Sequence, residues 1–177
     1  DAQEEIPPNA PTPLGKPVRF RMYVDSDHAG DKVSRRSRSG FVIYANGAIV
    51  DWLSKKQSTI ETSVFGAEFC AMKHGIENLR GLRYKLRMMG IPVNGPSYVF
   101  GDNMSVVTNS SKPESTLKKK SNSICYHAVH EAVAMGEALV AHIPALENFA
   151  DLFTKVLYGC TRRYLVGEML WDVFDYS

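Results

Sequence analysis

The period of the apolar residues changes along the chain, and this change constrains the fold most strongly. Apolar side chains alternate with polar ones from Val18 to Val24, which is the two-residue period of a strand. Further on, apolar residues recur at spacings of three and four, as on one face of a helix. These helical positions are Phe65, Phe69, Met72, Ile76, Leu79, Leu82 and Leu86. The sequence therefore predicts strands that are followed by one long helix.

A hairpin is predicted between these two segments. Residues 41–44 and 48–53 are short apolar stretches, and Asn46-Gly47 between them is a strong signal for a tight turn. Thr62 or Ser63 can cap the long helix, which we expect to end at Gly90.

The rest of the chain continues the alternation of strands and helices. We predict a strand at 98–100, a short helix after Asp102, a helix at 124–135, a strand at 139–143 and a helix at 147–156. This order, βββαβααβα, predicts an α/β fold in which a five-stranded mixed sheet carries helices on both faces.

The two ends differ in composition from the part between them. Residues 1–16 are rich in proline and poor in large apolar side chains, so we expect a flexible linker within a longer chain. Residues 17–157 form the predicted domain. Residues 158–177 are an apolar extension, which we expect to dock on the domain or on a partner because exposing it would be costly.

Composition limits the classes of protein. No apolar run approaches the roughly 20 residues that span a bilayer, so we expect no membrane partner. Cys70, Cys125 and Cys160 form no CxxC pair, which favours a reducing compartment and argues against zinc. The net charge of +2 is small, but basic residues cluster at 35–38, 55–56 and 118–120.

Four acidic residues occupy positions where chemistry could occur. Asp25 and Asp102 each end a predicted strand, and Glu68 and Asp151 flank the apolar stripes of predicted helices. Mg²⁺ prefers clustered carboxylate oxygens. Spacing alone leaves open whether these side chains cluster or are solvated surface charges.

Several sequence blocks together resemble one known family. The chain resembles, from about Arg19 to Leu157, the ribonuclease H domain of copia-type retrotransposon polyproteins. The blocks are MYVDSDHAGD, RSRSGFVIYANGAIVDWLSKKQSTIETSVFGAEFCAM, VFGDNMSVV and VAHIPALENFADLFTK. The resemblance implies a ribonuclease H-like fold and hydrolysis of the RNA strand of RNA/DNA hybrids during reverse transcription.

The resemblance also implies a metal centre. Its catalytic carboxylates would be Asp25, Glu68, Asp102 and Asp151, which would hold two Mg²⁺ ions, with Mn²⁺ as a substitute. Asp27 has the same strand parity as Asp25 and could replace or assist it as a ligand. The block alignment favours Asp25.

Candidates for gripping the substrate are Asn103, Lys55, Lys56 and Gln57. Lys118, Lys119 and Lys120 could also contact phosphates or form a solvated face. The implied partners are the hybrid and a polymerase domain in the same polyprotein, whereas the oligomeric state stays open. The implied location is the cytoplasm, within virus-like particles, or the nucleus.

Two other functions remain as alternatives. One is a non-catalytic hybrid-binding or structural module of a reverse transcriptase, and the other is a nuclease of the same fold that acts on DNA. The connection before the last predicted helix, IPALEN, lacks the histidine that cellular and retroviral members of the wider ribonuclease H superfamily carry there. We interpret His142, in the preceding strand, as a packed or edge residue.

Overall fold

A computed structural model describes residues 6–31, 33–61, 63–111 and 123–170. The strands are β1 (Phe20–Asp27), β2 (Arg38–Ala45), β3 (Ala48–Lys56), β4 (Ser97–Gly101) and β5 (Ala138–His142). The helices are α1 (Val64–Met88), α2 (Met104–Ser111), α3 (Ser123–Ala134), α4 (Asp151–Thr154) and α5 (Gly159–Met169). Lys118, Lys119, Lys120 and Trp171 lie outside the described residues.

The strands form one sheet in the order β3-β2-β1-β4-β5. β1 pairs antiparallel with β2 and β2 pairs antiparallel with β3, whereas β4 runs parallel to both β1 and β5. The predicted five-stranded mixed sheet and the predicted hairpin are therefore confirmed. β1 is the central strand, and its register sets Asp25 opposite Gly40 on β2.

The first face of the sheet is covered by α1, α2 and α3. Met22 and Val24 of β1 point into this face and are buried against Phe69 and Met72 of α1. Burying such side chains is worth about 1.5 to 3 kcal/mol each. Ser63 caps α1, because its hydroxyl accepts a hydrogen bond from the backbone N–H of Gly66 at 3.2 Å.

The second face is covered by α4 and α5. Tyr23, Tyr44 and Phe149 form an aromatic cluster there, with the ring centroids of Tyr23 and Phe149 4.6 Å apart. Leu165 of α5 is fully buried, and the Tyr44 hydroxyl donates to the Met169 carbonyl at 3.3 Å. Helices on both faces are thus confirmed, and the described part of the apolar extension docks on the domain.

The predicted helix over residues 147–156 is wrong. A short 3₁₀ helix (Ala145–Glu147) and the single turn of α4 replace it, with Asn148 between them. The buried Asn148 amide donates to the Val24 carbonyl at 3.1 Å, and its side-chain oxygen accepts from the backbone N–H of Ala150 at 3.2 Å. These bonds to β1 and to the local turn take the place of a continuous helix.

The described part of the predicted linker touches the domain. Pro7 is buried, and the backbone N–H of Leu14 donates to the Gly90 carbonyl at 2.8 Å, just past the end of α1. The flexibility of residues 1–16 stays a prediction. Among the described helices, none has the length and apolar character that crossing a bilayer would require.

Candidate metal centre

Two carboxylates lie where neighbouring parallel strands end. Asp25 is near the end of β1, and Asp102 follows Gly101, the last residue of β4. Because β1 and β4 are parallel neighbours, their carboxyl ends lie together, and both side chains reach the same end of the sheet. They line an open cleft of about 550 Å³, together with Glu68 and Lys155.

Glu68 completes a cluster of three carboxylates. It lies in the first turns of α1. Oxygen atoms of Asp25, Glu68 and Asp102 all lie within 4.8 Å of one another. Asp25 is 1% exposed and Glu68 is 7% exposed, so water screens their charges poorly.

Burial and mutual repulsion raise the pKa values in this cluster. Burial first, and then the charges of Asp25 and Asp102, raise the pKa of Glu68 to about 9. The pKa of Asp102 is also raised, chiefly by burial and next by Asp25. A divalent cation would relieve this repulsion, and hard oxygen ligands suit Mg²⁺. The donor set therefore fits the metal that the sequence implied.

Asp151, at the start of α4, lies beside this cluster and is not one of its three members. The Lys155 ammonium donates to Asp151 Oδ1 at 2.7 Å and lies 3.2 Å from Asp25 Oδ2. The Thr154 hydroxyl donates to Asp25 Oδ2. α4 approaches closely because β2 has a glycine here: a Cβ on Gly40 would lie 2.6 Å from Thr154 Cγ2.

Asp27 lies in the same cleft but outside the cluster of three carboxylates. Its carboxylate packs against the backbone of Gly30, where a Cβ would overlap it. This arrangement supports Asp25 as the main ligand of the first strand, and a metal-binding role for Asp27 stays a prediction.

The predicted substrate-binding residues divide into two groups. Asn103 lines the cleft, and its side-chain oxygen accepts from the backbone N–H groups of Ser105 and Val106, so it caps α2. Lys55 and Lys56 are exposed on β3, an edge strand, and Lys56 pairs with Asp31.

Gln57 requires a correction. It is 4% exposed, and its amide nitrogen donates to Ser39 Oγ and to the Ala67 carbonyl, both at 2.9 Å. The side chain thus ties β2 to the start of α1. Because it is buried and its amide nitrogen is engaged, a direct contact between Gln57 and a nucleic acid is not supported.

Thr154 and Lys155 had no predicted role, although both lie in a quoted sequence block. Their signal was the spacing: residues three and four positions after Asp151 fall on the same side of a helical turn. His142 ends β5, and its Nε2 lies 3.1 Å from the Asp102 carbonyl. It is exposed at the edge strand, which agrees with its interpretation as an edge residue.

Comparison with known proteins identifies relatives of this chain. No family model matches it. The chain is 27% identical over 143 residues to the retrovirus-related Pol polyprotein from transposon RE1 of Arabidopsis thaliana. The match covers 81% of the chain, which spans about a tenth of the length of that polyprotein. The resemblance to copia-type retrotransposon polyproteins is confirmed.

Solved structures identify the fold. LC11-RNase H1, solved in complex with an RNA/DNA hybrid, matches with a TM-score of 0.60 at 19% identity, over 77% of this chain and 94% of that one. The chain has the ribonuclease H fold. The prototype foamy virus protease-reverse transcriptase also matches, with a TM-score of 0.51 at 14% identity. That match covers 91% of this chain and 22% of the viral protein.

Proposed function

We propose that this chain is a ribonuclease H that hydrolyses the RNA strand of RNA/DNA hybrids during retrotransposon reverse transcription. The observation that carries the proposal is the close approach of Asp25, Glu68 and Asp102, whose oxygen atoms lie within 4.8 Å of one another in an open cleft. The ribonuclease H fold and the polyprotein relatives support it.

The metal centre would consist of two Mg²⁺ ions, or Mn²⁺ as a substitute, held by Asp25, Glu68, Asp102 and Asp151. Bound there, the two ions would lower the pKa of a water molecule and stabilise the leaving 3′ oxygen. The protein's part is to hold the carboxylates in place: the sheet fixes Asp25 and Asp102, α1 fixes Glu68, and α4 fixes Asp151. Products would carry a 5′-phosphate and a 3′-hydroxyl.

Recognition of the hybrid would use contacts outside the metal centre. Discrimination for RNA would come from contacts to successive 2′-hydroxyl groups in the shallow minor groove, and the DNA strand would be held through its phosphates. Lys55 and Lys56 present charge at the sheet edge beyond the cleft, and Asn103 lies in the cleft itself. These three residues are the proposed substrate contacts.

The proposed setting is a polyprotein in which a polymerase domain is the natural partner. The relatives named above are much longer than this chain, and the viral protein of the same fold combines a protease with a reverse transcriptase. The proposed location is the cytoplasm, within virus-like particles, or the nucleus.

The test compares cleavage of an RNA/DNA hybrid, duplex RNA and duplex DNA by the 177-residue chain in Mg²⁺. Asp102→Asn removes one ligand charge with little change in volume. We expect it to lower the cleavage rate about a thousandfold, the equivalent of about 4 kcal/mol of transition-state stabilisation. Asp51→Asn, on the edge strand β3 outside the cleft, is the matched control and should cleave like the wild type.

The three substrates separate the alternatives. Preferential cleavage of duplex DNA would replace the proposal with a DNA nuclease. Tight hybrid binding without cleavage by the wild type would indicate a non-catalytic module. Full activity of a folded Asp102→Asn protein would contradict the assignment of the metal centre.

A further inference from the structure

Lys155 brings a positive charge into the carboxylate site. It follows α4 directly, and its ammonium donates to Asp151 Oδ1 at 2.7 Å and to Asp25 Oδ1 at 3.3 Å. Its side chain is 38% exposed, whereas that of Asp25 is 1% exposed. The ammonium thus reaches inward from the surface to bridge two carboxylates that belong to different elements of the fold.

The position of this ammonium divides the four carboxylates into two sets. Asp25, Glu68 and Asp102 approach one another closely enough to share an ion, but Asp151 is not part of that group. Asp151 faces Lys155 instead. Among the described residues that line the cleft, Lys155 is the one lysine or arginine. It lies between Asp25 and Asp151, the two carboxylates that would hold a second divalent ion.

We propose that Lys155 competes with the second divalent cation for Asp25 and Asp151, so that this ion binds only when the ammonium is displaced. The inference rests on the proposed function, because it concerns the same metal centre. The first ion would bind to Asp25, Glu68 and Asp102 with Lys155 in place. The lysine would therefore set the order of binding and weaken the second site.

The geometry allows this displacement without unfolding. Lys155 follows the last residue of α4 and has an extended backbone, so its side chain extends from the end of the helix. A lysine side chain has four rotatable methylene groups, and its charged end can move into the open cleft while the backbone stays in place. Asp25 keeps the hydrogen bond from Thr154 when the ammonium leaves.

A purely structural role for Lys155 makes a different prediction. An ion pair between residues four apart stabilises a helical turn by about 0.2 to 0.5 kcal/mol. If ion pairing with Asp151 and with the buried Asp25 were its whole contribution, removing it would lower stability and would leave metal affinity unchanged. The affinity for the second ion is therefore the measurement that separates the two roles.

The experiment measures Mn²⁺ binding to the 177-residue chain by electron paramagnetic resonance of the free ion, without nucleic acid. Lys155→Met removes the charge and keeps the length of the side chain. We expect the second Mn²⁺ to bind about tenfold or more tightly than in the wild type, since a nearby charge of the same sign shifts ionic equilibria by at least that factor. The first Mn²⁺ should change much less.

Two further variants control this result. Lys155→Arg keeps the charge and should stay within about threefold of the wild type for the second ion. Lys85→Met removes an exposed lysine from the last turn of α1, outside the cleft, and should leave both affinities unchanged. If Lys155→Met does not fold, the weaker substitution Lys155→Gln is measured in its place, with the same expectation for the second ion.

The outcomes distinguish this inference from the proposed function. If the wild type cleaves hybrids but Lys155→Met binds the second Mn²⁺ no more tightly, competition by Lys155 is wrong and the function stands. If Lys155→Arg tightens the second site as much as Lys155→Met, charge is not the cause and the inference is also wrong. If the wild type neither binds Mn²⁺ nor cleaves, both proposals fail.

Discussion

The two faces of the sheet are built in different ways. On the first face, the 25-residue helix α1 packs an apolar stripe on β1, with Phe69 and Met72 almost fully buried. On the second face, a 3₁₀ turn and the four residues of α4 are held by Phe149, which packs on Tyr23, and by buried polar side chains. Asn148 and Thr154, both buried, make hydrogen bonds to Val24 and Asp25 of β1.

This difference determines what holds each carboxylate of the metal centre in position. Glu68 is carried by a helix that burial of apolar area stabilises. Asp151 is carried by a single turn, whose position depends on a few directed hydrogen bonds. We therefore expect the second face to be the more fragile support of the site.

The strongest test of this comparison truncates one apolar side chain on each face. Phe69→Ala on the first face should cost about 3 to 5 kcal/mol and Leu165→Ala on the second about 2 to 3 kcal/mol. Both side chains are fully buried, but Phe69 also contacts the rings of Phe65 and Tyr126. Urea unfolding measures both losses.

Leu146→Ala serves as the control, because Leu146 is 70% exposed in the 3₁₀ turn. Its cost should be under about 0.5 kcal/mol. A larger loss from Leu165→Ala than from Phe69→Ala would contradict the larger contribution of apolar burial on the first face to the free energy of unfolding. An unchanged stability of Leu165→Ala would show that α5 does not dock.

The dependence of stability on pH tests the carboxylate of the first face. The pKa of Glu68 is raised from 4.5 to about 9 by burial and by Asp25 and Asp102, with Asp151 adding to the effect and Lys155 opposing it. The folded state therefore holds a proton that the unfolded state loses near pH 4.5. This contribution to stability is complete below about 4.5 and is lost as the pH rises to about 9.

In the presence of a chelator, the melting temperature should fall by roughly 10 °C or more over this range, and Glu68→Gln should flatten the fall. Glu77→Gln is the matched control, because it removes an acid of the same type from the exposed side of α1, outside the cluster. It should leave the fall nearly as steep as in the wild type. A pH dependence that is the same in Glu68→Gln and in the wild type would contradict the raised pKa.

A smaller effect is expected from the polar support of the second face. Asn148→Ala removes the hydrogen bonds to the Val24 carbonyl and the Ala150 N–H, which should cost about 1 to 3 kcal/mol because the buried partners stay unsatisfied. Asn78→Ala, exposed on α1, is the matched control and should be nearly neutral. Equal losses from the two variants in thermal unfolding would show that Asn148 does not anchor α4.

The smallest effect concerns Lys55 and Lys56 on the edge strand β3, outside the metal centre. Log affinity for a hybrid should fall linearly with log salt concentration, and Lys55→Ala should reduce the slope by about 0.9 if Lys55 contacts one phosphate. Lys56→Ala should reduce it less, because Lys56 already pairs with Asp31. Lys85→Ala, in the last turn of α1, should leave the slope unchanged. An unchanged slope in Lys55→Ala would show that Lys55 contacts no phosphate and is an ordinary solvated surface residue.

The two faces also differ in how far the sequence predicts them. The repeat from Phe65 to Leu86 predicted α1 nearly to its ends, and the cap at Ser63 was among the expected residues. The alternation of apolar residues predicted the first strand, which continues two residues past the predicted end at Asp25, and the fourth strand ends at Gly101, just before Asp102. A turn of four residues has no period to detect, so α4 was predicted too long.

Contacts that depend on the assembled fold were also missed. The sequence does not show that Asn148 reaches β1, that Gln57 points inward, or that Lys155 bridges Asp25 and Asp151. Each of these side chains is polar and would be expected at the surface from its residue type. The choice of the four carboxylates among all the acids came from family resemblance, because burial and charge coupling appear only once the strands are paired.

The pairing of β1 with β2 has a consequence for how the site forms. Side chains alternate along a strand, so shifting this pairing by one residue would turn Asp25 toward α1 and bring Val24 or Ser26 to the cleft. The same shift would move Gly40 away from α4 and remove Met22 from the core. A chain in the wrong register would thus lose its core and its metal ligand together. Burial of the apolar side chains of β1 selects its register with β2. The same register aligns Asp25 with the rest of the metal centre, so the core and the site form together.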